Sequence, residues 1–148
     1  MSKARKFTLF FVMCLVLLVS TKGVAVAPIP NPVIVFIGSE NYQSGAKHLT
    51  RYSFDVFNKT DFPAEMFMPA PKLPPCGKNT NSSRTWVDIY DQNGKRLNGF
   101  CAIKKPDELN QLWFAIDEDQ LPPSWIYIEL TDRETNTKYK SNLAETSN

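Results

Sequence analysis

The chain is poor in the residues on which most enzyme mechanisms depend. His48 is its single histidine, so a Ser-His-Asp or Cys-His mechanism would have to run through that one side chain. No G-x-S-x-G segment and no glycine-rich phosphate loop occurs, and His48 reads as a polar residue beside a strand start. Cysteine is limited to Cys14, Cys76 and Cys101, with no C-x-x-C spacing. Together with one histidine, that leaves no ligand set for a zinc site. Long hydrophobic runs are also scarce. The one that exists covers residues 7–19, short of the roughly 18 or more apolar residues that cross a bilayer. No amphipathic helical pattern longer than a turn or two is present, and no internal repeat.

What surrounds the apolar run gives it a meaning. Lys3, Arg5 and Lys6 precede it, and Ser20, Thr21, Gly23, Ala25 and Ala27 follow. A basic start, an apolar stretch and an Ala-x-Ala site form a secretory signal peptide at residues 1–27. An uncleaved anchor is the alternative, but Ser20-Thr21-Lys22 ends the run early. Pro28 is awkward directly after a cut, so cleavage after Gly23 or Ala25 is a second option. Cys14 sits inside the run behind Val12 and Met13, which disfavours lipid attachment there. The expected destination is secreted or periplasmic, with no stable membrane anchor after cleavage. Of the 17 Lys and Arg residues, Lys3, Arg5, Lys6 and Lys22 leave with the signal and none of the 15 Asp and Glu do, so the mature chain turns net negative, about −2. No basic stripe survives, which argues against a nucleic-acid partner. Residues 28–148 have the length of a single domain.

With Cys14 removed, Cys76 and Cys101 remain in a chain bound for an oxidising compartment. One disulfide between them is the economical reading. It would close a loop of about 25 residues, worth roughly 3.5 kcal/mol in the chain-entropy account.

Pro28, Pro30 and Pro32 make a stiff, non-helical lead-in. Strands are predicted at residues 33–37, 49–58, 84–90, 95–100, 112–116, 124–131 and 138–144, from alternation or short β-branched and aromatic runs. Gly38 is expected to stop the first. Asn93-Gly94 predicts a tight hairpin with both turn positions at positive φ. One helical turn is predicted at 106–109, and polar turns at 79–83 and 132–137. Residues 61–77 hold Pro63, Pro69, Pro71, Pro74 and Pro75 among Phe62, Met66, Phe67 and Met68. Such proline density forbids a long regular element, while the apolar side chains imply packing over the domain. About seven antiparallel strands with a Pro-rich insertion describe an all-β sandwich, with a closed barrel as the alternative.

The strand at Trp125 to Leu130, its polar turn and Tyr139-Lys140-Ser141-Asn142-Leu143 resemble the closing F–G hairpin of a fibronectin type III or related immunoglobulin-like domain. Trp86 resembles the core tryptophan of those folds. The resemblance is one of pattern over about two-thirds of the mature chain. It departs at the Pro-rich insertion and at Cys76, which precedes the Trp86 strand, so Cys76–Cys101 is not the inter-sheet bridge of antibody domains. Pro74-Pro75-Cys76-Gly77 and Gly99-Phe100-Cys101 are also similar to small exported bacterial proteins of no assigned function, which implies a compartment and no activity.

Chemistry-bearing clusters are few. Asp88 to Gly94 looks like a calcium loop, but Ile89 and Phe100 occupy positions that need an acid and a Glu. Asp117-Glu118-Asp119 and Asp107-Glu108 read as solvated acids. The aromatics are the stronger lead: Trp86, Trp113 and Trp125 fall on separate strands, and Trp125 and Tyr127 alternate against Ile126, Ile128 and Leu130. If nothing covers them, Trp125 and Tyr127 form a binding surface for a protein or a glycan. If the Pro-rich segment folds over them, they are core. The expectation is an exported, non-catalytic binding or structural accessory module with no catalytic residue, metal or cofactor. The alternatives are a subunit of an envelope or surface assembly, offering a strand edge or the Pro-rich segment, and a small secreted hydrolase.

Overall fold

A computed structural model describes residues 28–76 and 83–147. The signal peptide expected at 1–27, with Cys14, and most of the turn expected at 79–83 lie outside those residues. The strands are β1 (Ile34–Ser44), β2 (Lys47–Val56), β3 (Thr85–Asp91), β4 (Arg96–Phe100), β5 (Leu112–Asp117), β6 (Trp125–Asp132), β7 (Thr137–Lys140) and the two-residue β8 (Ala144–Glu145). They form two antiparallel sheets, β1-β2-β5 and β4-β3-β6-β7, with β8 also pairing β6. The sheets stay separate, which removes the closed barrel. Both feed one core, an all-β arrangement compatible with a sandwich.

The period-two pattern of the strands places the core. Tyr52, Phe54 and Val56 of β2, Val87 and Ile89 of β3, Leu112 and Phe114 of β5, and Ile126, Ile128 and Leu130 of β6 are all buried in it. Within the three-stranded sheet the rings of Tyr52 and Phe114 stack at 5.0 Å, and those of Phe54 and Phe114 at 5.9 Å. The Pro-rich segment folds into two short 3-10 turns, Lys59–Asp61 and Ala64–Phe67. Phe62, Met66 and Phe67 enter the same core. The segment is tied to β3 by Thr85 Oγ1 donating to the Met66 carbonyl at 2.5 Å and Arg84 N donating to that of Met68 at 3.0 Å. Its far end is bonded covalently, Cys76 to Cys101, with Cα atoms 6.0 Å apart.

Four local expectations are corrected. Gly38 does not end β1. It sits at a bulge where the β1–β2 register shifts between Phe36 and Gly38, at φ +157°, and the strand runs on as a polar ribbon. At the β3–β4 turn, Gly94 has positive φ (+83°) and Asn93 does not. Asp91 Oδ1 instead accepts from the amides of Asn93 and Lys95, at 2.9 and 2.8 Å, and fixes a three-residue loop. The return strand at 138–144 breaks into β7 and β8. Ser141 Oγ takes the place of a ladder carbonyl for the Ile128 amide, at 2.9 Å. Asn142 then turns across to the other sheet, accepting from Ile34 N at 2.8 Å and donating to Ile34 O at 3.1 Å. Finally, Trp86 is not a core tryptophan: Val87 and Ile89 take the inward positions of β3, so Trp86 falls on the outer face.

Candidate functional site

The outer face of β4-β3-β6-β7 is built by alternation from the residues that leave the core side. Trp86, Asp88 and Tyr90 come from β3, with Tyr127 and Glu129 from β6, and the register sets Tyr90 opposite Tyr127 and Asp88 opposite Glu129. Trp125 lies at the start of β6, 39 % exposed, its carbonyl and amide held by Gln92 at 3.0 and 3.3 Å. Tyr127 is half-buried. The Pro-rich segment does not cover the pair. Met66 and Phe67 pack on the opposite side of the sheet, with Ile126, Ile128 and Leu130, and Met68 is 59 % exposed. Trp125 and Tyr127 are therefore surface residues, and the reading in which they become core is set aside.

Ring faces and charges on this surface are largely engaged with each other. Tyr90 and Tyr127 stack at 5.3 Å, 17° from parallel, and Lys140 Nζ lies 3.9 Å over Tyr127. The Arg133 guanidinium lies 3.9 Å over Trp86. Arg96 Nε donates to Asp88 Oδ1 at 2.6 Å, and Lys138 Nζ to Glu129 Oε1 at 2.6 Å. Burial, reinforced by Asp88 and Glu129, pushes the Tyr90 phenol up. The hydrogen bond to Glu129 raises the Lys138 ammonium. Gly99 lets the Arg96–Asp88 pair lie against the backbone, since a Cβ there would meet both side chains. The face is thus a mixed-charge aromatic surface, with Trp125 its most open ring.

On the other sheet, Trp113 of β5 faces outward beside Arg51 and Ser53 of β2. With Lys105, Asn110 and Gln111 of the β4–β5 crossover they line an open cleft of about 910 Å³. Phe100 meets the Trp113 ring edge-on at 6.2 Å. Sequence reading passed over Arg51. Its outward position was legible from the inward Tyr52, Phe54 and Val56, but its cleft neighbours are remote in sequence.

The remaining candidates do not converge. His48 is exposed and offers its carbonyl to the Glu118 amide at 3.1 Å. Glu118 accepts from Asn41 and Glu108 from the Lys104 amide, at 2.9 and 2.8 Å. Among the described residues no three His, Cys, Asp or Glu side chains are grouped to hold a metal ion. No helix of the described residues is long and apolar enough to cross a membrane. The pair Cys76 and Cys101 is joined. Compared with known proteins, the chain matches no family model, no curated protein and no solved structure.

Proposed function

We propose that the chain is an exported, non-catalytic binding module, a single immunoglobulin- or fibronectin type III-like domain over residues 28–148, that docks a protein through the outer face of β4-β3-β6-β7. The observation that carries this reading is the open Trp125 beside the stacked Tyr90–Tyr127 pair, toward the end of the face opposite the Trp86 end, where Arg133 and the Cys76 bridge lie. Three strands, β1-β2-β5, set against four, β4-β3-β6-β7, support the fold assignment. On this reading they are strands A, B and E against C′, C, F and G, with β8 an addition beside β6. The outward Trp86 and the position of Cys76–Cys101 are where it departs from that plan.

A protein fits this face better than a glycan. Sugars stack on free ring faces, but Tyr127 is held between Tyr90 and Lys140, and Trp86 lies under Arg133. A surface with an aromatic centre and Arg, Lys, Asp and Glu around it matches the composition of protein interfaces. The strand-edge assembly reading is weakened at β1, where Asn142 occupies the backbone groups of Ile34 and a bulge follows.

The test is co-purification of the mature protein from the exported fraction of its own host, in parallel with Trp125→Ala and Lys140→Glu. Trp125 is 39 % exposed and keeps part of its ring packed, so its truncation should lower stability by about 1–2 kcal/mol and leave the domain folded. A partner retained by the parent and lost from both variants, each shown folded by circular dichroism, is expected. An identical retained set for all three removes the proposal.

A further inference from the structure

β1 is an edge strand, and its second half is open. The Phe57 amide donates to the Val33 carbonyl at 2.7 Å, which sets the alternation of bonds along the β1–β2 pair. Past the bulge, Gly38, Glu40, Tyr42 and Ser44 turn their backbone groups to Ser53, Arg51, Leu49 and Lys47 of β2. The amides and carbonyls of Ser39, Asn41 and Gln43 therefore point away from β2, where no strand of the described residues pairs them. Asn142 and the bulge obstruct this edge only before Gly38. The other edges are short or taken. On β5 the Trp113 carbonyl accepts from Asn98 Nδ2 at 2.7 Å, and that of Asp117 from the Gln120 amide at 2.9 Å. On β4 the Gly99 amide donates to Asn98 Oδ1 at 2.8 Å, and the short β7 carries Lys138 and Lys140. Solvent-facing edges are usually guarded by lysine, proline or a free charge. Residues 38–44 hold neither lysine nor proline, and their single charge, Glu40, is paired with Arg51 of its own sheet.

We infer that a second copy of this chain pairs with the first, antiparallel, through residues 38–44 of β1, about a two-fold axis at Asn41. The bulge closes the open run at one end and the turn at Gly45 closes it at the other, and Asn41 is its midpoint. Pairing about that point sets Asn41 opposite itself, Ser39 opposite the partner's Gln43 and Glu40 opposite the partner's Tyr42, with about six backbone bonds. The side chains of Ser39, Asn41 and Gln43 are exposed and both donate and accept, so each accommodates its counterpart. An axis at Glu40 would set two carboxylates face to face, and one at Tyr42 would shorten the overlap. A foreign strand satisfies the same backbone groups, but only a second copy ends in the same bulge and turn. About seven residues a side is small beside the roughly twenty to thirty of a standard interface, so the dimer is a micromolar one.

Sedimentation equilibrium of the mature protein from about 5 to about 500 μM tests this, with hydrogen exchange followed over the same range. A monomer–dimer equilibrium is expected. The amides of Ser39, Asn41 and Gln43 should slow as the dimer fills, while those of Glu40 and Tyr42, already bonded to β2, stay unchanged. Ser39→Lys with Gln43→Lys sets like charges opposite each other twice and should weaken the dimer by about tenfold or more. Ser39→Lys with Gln43→Glu sets opposite charges there and should hold it at least as tightly as the parent. Within one chain the two positions lie about 13 Å apart along the strand, so only this register separates the two variants. Should either unfold by circular dichroism, the concentration dependence of exchange in the parent carries the test. Trp125→Ala should leave the dimer intact, which keeps a failure here distinct from a failure at the aromatic face. A monomer throughout, open-ended assemblies, a dimer lost with Trp125→Ala, or charge variants that behave alike overturn the inference. So does a monomeric parent whose co-purified partner is lost with Ser39→Lys and Gln43→Lys, which assigns the edge to another protein's strand.

Discussion

Asp132 belongs by sequence to an ordinary polar turn, and in the fold it becomes a buried anion, 2 % exposed. Both of its oxygens are gripped by Arg84, through Nε and Nη2 at 2.7 Å each, and Thr135 Oγ1 and the Glu134 amide donate at 2.8 and 3.1 Å. The hydrogen bonds from Arg84, ahead of opposing burial and the remaining donors, hold its carboxyl down to about 2. An unfolded Asp titrates near 3.9, so the folded state binds this proton less readily and the pair stabilises the fold by about 2 kcal/mol at neutral pH. The contribution is fully present above about pH 5 and drains away as pH falls through 4 toward 2. Asp132→Asn should cost about 2–4 kcal/mol at pH 7, since Arg84 loses its bidentate partner but keeps Glu134 at 3.0 Å. Urea unfolding across pH 2–7 checks it: the gap between parent and variant should narrow steadily below pH 4. A gap that is constant with pH would show that the carboxylate's charge contributes nothing.

At the scale of elements, the sequence carries the strands because inward residues announce themselves by period. Val87 and Ile89, or Ile126, Ile128 and Leu130, need no partner to be recognised. What it does not carry is the work of single polar side chains that replace backbone partners. Asp91 builds the turn that the Asn93-Gly94 pair predicts, and Ser141 breaks a strand through which the alternation continues. Trp125 and Tyr127 were legible as one face of a strand. Their ring-stacking partner Tyr90 and the cation Lys140 depend on register, and the Arg51 cleft on a crossover, both set by long-range pairing. Asn142 shows the consequence most directly. Its amide satisfies both backbone groups of Ile34 and joins the end of one sheet to the edge of the other. Asn142→Ala should cost about 1–3 kcal/mol and expose the start of β1 as a pairing edge. Hydrogen exchange should then quicken at Ile34 while Phe54 and Phe114 keep their protection. Uniform quickening throughout both sheets would mean that the tie is not local.

For the whole molecule the question is how a Pro-rich segment with little regular structure stays in a β core. Phe62, Met66 and Phe67 supply apolar burial, but the backbone from Ala70 to Cys76 is held at few points. Arg133 Nη2 donates to the Pro74 carbonyl at 2.5 Å while the same guanidinium lies over Trp86. The bond from Cys76 to Cys101 then fixes the end of the segment to the close of β4, across 25 residues of chain. That enclosed stretch contains β3, which carries Val87 and Ile89 and pairs β6, so the crosslink restricts the unfolded chain around a strand central to its sheet. Removing the bridge with Cys76→Ser and Cys101→Ser should lower unfolding free energy by about 2–4 kcal/mol. The loss should be unequal in space. Trp86 lies beside the bridge and under Arg133, so its fluorescence should respond to reduction before Trp113 or Trp125 does, which single-tryptophan variants can separate. The proposed export of the chain bears on the same quantity, because an oxidising compartment is where the bridge persists. Protein made without residues 1–27 in a reducing cytosol should therefore unfold at lower urea than exported protein and match it after oxidation. Equal midpoints before oxidation, with thiols shown free by alkylation, would mean the segment is held without the bridge, by Phe62, Met66 and Phe67 and its hydrogen bonds to Arg84, Thr85 and Arg133.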